Sequence, residues 1–152
     1  MEWFTVYDFA VDRAQIAAMQ RATRGPTDFG VSAVPALVGT PDWWLAIDRG
    51  QLPRFELQGT VNRVYWGSMG DWPEFELLAD GGTSTTWTRE GDPSRFVEGL
   101  RIRLLYTLHP WKMPKRLLGD GAKIVLRIEL EQSDRRSDPR APGPGGVGFR
   151  SR

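Results

Sequence analysis

One histidine and no cysteine limit the chemistry open to this 152-residue chain. Disulfides, thiol nucleophiles and thiolate metal sites are excluded, and so is any multi-histidine metal centre. Catalysis would have to rest on carboxylates, hydroxyls and His109. Glu74 and Glu76 alternate along one expected strand, so their Cα atoms stand roughly 7 Å apart on its outward face. That spacing is compatible with paired-carboxylate glycoside chemistry, and Trp66, Trp72 and Trp87 could stack on sugar rings. A serine hydrolase would need His109 together with Ser68, but no nucleophile-elbow pattern surrounds Ser68. The plainer readings are a solvated strand face for the two glutamates and a loop histidine for His109. No catalytic residue, metal site or cofactor is assigned.

Two short motifs carry no chemistry in their context. Gly143, Gly145 and Gly148 match the dinucleotide pattern, yet they sit in a proline-interrupted stretch with no strand before them and no helix after them. Asp28-Phe29-Gly30 has the letters of a kinase motif without the glycine-rich loop or catalytic loop that would accompany it.

Aromatic and basic residues suit binding better than catalysis. Gly67-Ser-Met-Gly-Asp-Trp-Pro73 is a loop of set path flanked by Trp66 and Trp72, and Trp111-Lys-Met-Pro-Lys-Arg116 interleaves an aromatic residue with cations. Rings that stack on bases and cations that meet phosphates are what single strands of nucleic acid require. The expected ligand contacts are Arg63, Trp66, Trp72, Trp111, Lys112, Lys115 and Arg116. Each loop also has a structural reading, in which its tryptophans cover a barrel end or anchor a solvated turn.

Charge is polarised. The formal net charge is +1, but residues 71–98 hold seven acids against two arginines, and residues 99–127 are correspondingly basic. A duplex-binding protein shows a more one-sided positive balance. An acidic face over 71–98 could instead dock a basic protein.

These residues must be positioned by a β-rich chain. Residues 2–9 read as a strand of aromatic and β-branched types. A helix starts after Asp12, with Gln15 completing a capping box, and stops at Gly25-Pro26, where glycine would take the left-handed cap conformation. Thr40-Pro41-Asp42 opens a second helix with Trp43, Ile47 and Trp44 on its buried stripe, ending at Arg49-Gly50. From residue 54 the period becomes two. Phe55, Leu57, Gly59 and Val61 share a face, and a bulge near Asn62-Arg63 accounts for the switch of parity to Val64 and Trp66. Further strands are expected at 74–79, with Phe75, Leu77 and Ala79 inward, and at 83–89 after the Asp80-Gly81-Gly82 turn. A loop at 90–99 with one helical turn near Pro93–Phe96 leads to strands at 100–108 and 123–131. If partner numbers in the last two sum to about 232, Ile102, Leu104, Tyr106 and Leu108 meet Leu130, Ile128, Leu126 and Ile124, while Arg101 and Arg103 meet Glu131 and Glu129.

Five strands in this count and order resemble the oligonucleotide/oligosaccharide-binding barrel over residues 54–132. A small half-open or SH3-like barrel fits nearly as well. The expected fold is mainly β (α+β): a five-stranded barrel at 53–132, with residues 1–52 supplying an N-terminal strand and two short helices packed on it. Together they form one domain, 1–132, followed by a disordered Arg/Gly/Pro tail at 133–152. The start of the chain lacks the basic and apolar pattern of a signal peptide, so the expected compartment is cytoplasmic, with no membrane partner. The leading functional expectation is a non-catalytic binding module for single-stranded nucleic acid. The alternatives are a protein-interaction, adaptor or neutralising module, and an enzyme acting on sugars or esters. Edge strands could also pair two copies into a homodimer.

Overall fold

A computed structural model describes residues 2–67, 70–113 and 121–132. Strand β1 spans Glu2–Asp8, helix α1 Arg13–Arg24, helix α2 Pro41–Asp48, and strands β2 to β6 Arg54–Trp66, Pro73–Ala79, Ser84–Thr88, Arg101–His109 and Ala122–Gln132. Single 3-10 turns lie at Phe9–Val11 and Pro93–Arg95. All six strands form one antiparallel sheet in the order β1-β6-β5-β2-β3-β4. The fold is thus mainly β with a small helical part. The N-terminal strand does not pack on a five-stranded barrel; it joins the sheet as a sixth member. The sheet is open, because β1 and β4 remain unpaired edges, so an oligonucleotide-binding-type closed barrel does not form. The chain just after β4 nevertheless leans on β1: the Arg95 guanidinium lies 4.4 Å from the centre of the Phe4 ring. Gly91 lies so near the Val6 carbonyl that a Cβ there would collide with it.

Three bulges curve the sheet. The register of β2 on β3 shifts between Val61 and Arg63, at the expected position. Val61 is fully buried before the shift, and beyond it Val64 takes over the inward parity. A second shift falls at Val6 in β1. The third lies between β5 and β6 and corrects the expected pairing. Ile102↔Leu130, Arg103↔Glu129 and Leu104↔Ile128 hold, but beyond Leu105 the partners slip by one, so Tyr106 meets Val125 and Leu108 meets Lys123. An unpaired residue reverses which side chains turn inward. Leu104 and Leu105 are therefore both buried, and Thr107 and His109 follow them into the interior.

The ion pairs also differ in part. Arg103 Nε donates to Glu129 at 2.6 Å across the strands. The Arg101 guanidinium turns sideways and grips both oxygens of Asp80 at 2.7 Å, leaving Glu131 to accept from the Arg101 backbone N–H. A planar donor fork matches a carboxylate better than a single cross-strand contact does.

The helices begin as their caps require. Asp12 accepts from Gln15 N at 3.2 Å, but the return half of the box is absent, because the Asp12 N–H donates to Phe9 O. Thr40 accepts from Trp43 N, with Pro41 at the first position. α2 buries Trp43, Ala46 and Ile47, and Trp44 is half-buried. Gly25 is extended rather than left-handed. Its expected capping role passes to Lys112, whose ammonium donates to the carbonyls of Ala22, Gly25 and Thr27 at 2.7, 3.1 and 2.8 Å. Among the described residues no helix is long and apolar enough to cross a membrane. The expected tail at 133–152, with Gly143, Gly145 and Gly148, lies outside the described residues.

Candidate functional site

The ends of β2 and β3 carry the exposed aromatic residues. Gly67 N donates to Trp72 O at 2.7 Å and closes the loop between these strands. That closure holds Trp66 and Trp72 at the tip, and their side chains are 59 % and 57 % exposed. Trp72 Nε1 donates to Thr88 Oγ1 at 2.8 Å, which lays its indole beside β4. Arg63 is also exposed, and its guanidinium stacks 4.1 Å from the Tyr65 ring centre. Arg89 lies near the Trp66 ring and donates to Tyr65 O, while its Nε is buried with no partner among the described residues. Three of the expected contacts, Arg63, Trp66 and Trp72, thus share one end of the sheet.

The other described contacts do not join them. Trp111 packs half-buried against the core and forms an isolated bridge with Val31. Lys112 spends its ammonium on the three carbonyls at the end of α1. Lys115 and Arg116 lie outside the described residues. Trp87, considered above as a sugar platform, is buried; its ring packs on Tyr106 and takes the Lys123 ammonium 5.0 Å from its centre.

Carboxylates surround the tip. Glu74 and Glu76 stand on the outer side of β3, opposite Tyr65 and Arg63 of β2. Asn62 donates to Glu76 Oε1 at 2.7 Å. Glu74 also reaches a cavity of about 240 Å³, lined in addition by Tyr7, Phe9, Thr86, Trp87, Thr88 and Glu90. Sequence reasoning left Glu90 in a loop and did not connect it to Glu74, because the cavity exists only where the two edges of the sheet approach each other. Burial, and then the nearby Asp12 charge, push the Glu90 carboxyl above its ordinary value. Tyr7 donates its hydroxyl to Asp12 Oδ2 at 2.7 Å, and burial followed by that bond raises its pKa.

His109 is not a loop residue. It ends β5, is fully buried, and is held from both sides. Trp43 Nε1 lies 3.1 Å from its Nδ1, and its Nε2 lies 2.7 Å from the Ser32 carbonyl. The indole can only donate and the carbonyl can only accept, so the ring is the neutral tautomer protonated at Nε2. Burial lowers its pKa against the raising effect of the Ser32 bond. With both nitrogens engaged and no solvent access, it has no free position for a substrate proton. Among the described residues the two carboxylates in one cavity are the nearest approach to catalytic geometry, but the cavity walls read equally well as a receptacle for a cationic group: Tyr7 and Phe9 offer rings, Glu74 and Glu90 offer negative charge, and Lys123 already lies over the Trp87 ring at its side.

No curated protein matches the chain. A family model described as Immunity protein RhsI2 matches residues 4–131. An immunity protein is a neutralising module whose partner is a toxin protein, so the match favours a protein partner and does not support the single-stranded nucleic acid expected first. The matched stretch begins within β1, ends within β6 and takes in both helices and the four strands between, and this chain therefore belongs to the RhsI2 family of immunity proteins.

Proposed function

We propose that the chain neutralises an Rhs toxin by covering a basic surface of that toxin with the β2–β3 tip and the outer side of β3. The observation that carries this reading is the pair of exposed indoles, Trp66 and Trp72, set among Asp71, Glu74 and Glu76. Neither indole is needed to fill the core. Tryptophan is the residue most often found at the energetic centre of an interface, where it buries a large rigid ring. Carboxylates around such an anchor steer a basic partner and raise the association rate more than they deepen affinity. Arg63 belongs to the same surface as a rim contact.

The test is titration of the purified chain into its purified toxin, with protection of toxin-expressing cells as the second readout. The E74K/E76K double variant should associate more slowly, and the wild-type association rate should fall as salt is raised. W72A should dissociate faster, weakening binding by about tenfold or more. If both variants bind like wild type, the interface lies elsewhere on the molecule.

A further inference from the structure

We infer that the toxin adds an extended, basic segment to the free edge of β4 and places one lysine or arginine side chain in the cavity between β4 and β1. This rests on the reading of the chain as a toxin-binding protein and specifies how the partner would be held.

The two edges of the sheet differ. β1 is interrupted by its bulge at Val6, covered at Phe4 by Arg95, and touched by Gly91. Bulges and covering side chains are the usual means of blocking edge pairing. β4 has no bulge, and the Trp72 indole that lies beside it bonds to the hydroxyl of Thr88 and not to its backbone. Its five residues, Ser-Thr-Thr-Trp-Thr, include no proline and no charge, and they pair with β3 in unbroken register from Glu74↔Thr88 to Leu78↔Ser84.

The direction of its backbone groups follows from the bonds at each end. Ala79 N donates to Thr83 O at 2.8 Å, and Arg89 N donates to Pro73 O at 2.9 Å. Antiparallel ladders alternate, so Thr85 and Trp87 direct their backbone groups to β3. The N–H and C=O of Ser84 and Thr86 and the N–H of Thr88 then point to the open side. Thr88 O is already taken by Glu90 N at 2.9 Å. An added strand would find a short row of donors and acceptors waiting.

The cavity lies beside this row. Thr86, Trp87 and Thr88 form one wall, Tyr7 and Phe9 the other, and Glu74 and Glu90 contribute carboxylates. No hydrogen bond or ion pair among the described residues engages the Glu90 carboxylate. The charged and titratable neighbours facing it are Asp12, Tyr7, Glu74 and Lys123. The single cation among them, Lys123, lies over the Trp87 ring. A guanidinium or ammonium delivered by the partner would have aromatic walls for its stem and carboxylates for its head. Charge also selects the occupant. A second copy of this chain would bring two acidic 71–98 segments together, whereas a basic toxin segment would neutralise one.

The test uses the full chain, its T86P and E90Q variants, and the purified toxin. Proline at 86 removes an outward N–H without breaking a bond to β3, a position where edge strands tolerate it. E90Q keeps the shape of the side chain and removes its charge, so it tests the cavity even if T86P folds poorly. Each variant should bind the toxin about tenfold or more weakly than wild type. Amide exchange at Ser84 and Thr86 should slow when the toxin binds. If wild type binds tightly and both variants match it, the edge inference falls and the neutralising reading stands. If wild type does not bind the toxin at all, both fall. A wild-type dimer that T86P converts to monomer would assign the edge to a second copy and overturn the inference.

Discussion

Acidification from pH 7 to pH 5 should destabilise this protein through His109, and the size of the effect can be worked from its surroundings. The imidazole must stay neutral to accept from Trp43 Nε1 while donating to Ser32 O. A second proton on Nδ1 would point one donor at another inside a fully buried site. Burial accordingly holds the native pKa below the ordinary 6.5, with the Ser32 bond as a smaller opposing influence. The sign follows: the unfolded chain binds the proton more readily, so stability is complete above about pH 6.5 and is lost as pH falls below it. Each pH unit in that window costs up to about 1.4 kcal/mol. If the ring stays neutral throughout, the total from pH 7 to pH 5 is about 2 kcal/mol. Glu90 acts in the opposite sense. Its native pKa is raised, so lowering the pH through its own window favours folding, and the histidine contribution must be isolated by difference. Urea unfolding of wild type and H109Q at both pH values does so. H109Q should be less stable at pH 7 by about 1–3 kcal/mol, because the buried indole N–H and Ser32 carbonyl lose their fitted partner. Its stability should then fall less than that of wild type on going to pH 5, by up to about 2 kcal/mol. Equal acid losses in the two proteins, or an imidazole that titrates at or above 6.5 by NMR in the folded state, would refute the reasoning.

Two further predictions concern folding. Gly59 is buried in mid-strand between β3 and β5, and a Cβ there would run into the Leu78 carbonyl and the Ala79 backbone; G59A should cost about 1–3 kcal/mol in urea unfolding, and an unchanged midpoint would show that the strands can separate freely. K112M should lower stability by about 1–3 kcal/mol, since three carbonyls around the end of α1 lose one shared donor, and amide exchange should show the last turn of α1 opening first.

Local chemistry made much of this protein legible. Thr40-Pro41 and Asp12 announced their helices because a cap is a contact between near neighbours. The alternation of Phe55, Leu57, Gly59 and Val61, and its failure at Asn62, located both β2 and its bulge, since parity is a property of the strand itself. The pairing of Ile102 with Leu130 and of Arg103 with Glu129 could also be read, because both faces demanded the same register. Beyond Leu105 that logic ran out. Leu126 and Val125 are both apolar, so nothing in the residue types marks which of them is the extra one.

What depended on distance along the chain was decided by the tertiary structure alone. The acidity of residues 71–98 and the oddness of the Trp66–Trp72 loop were visible as composition, but exposure was not. Trp66 and Trp72 stay in solvent while Trp87, of the same type, is buried. Lys112 resembled a ligand contact until the end of α1, some ninety positions earlier, was brought beneath it. His109 became a buried link between Trp43 and Ser32 only because the slip in β5–β6 turned it inward. Glu74 and Glu90 came to share a cavity only because the open sheet bends until the chain after β4 meets β1. Hydrophobic period and capping act over a few residues and are written in the sequence; curvature, edge exposure and the burial of a polar group are sums over contacts between remote segments, and they exist only once the open sheet has bent over its core.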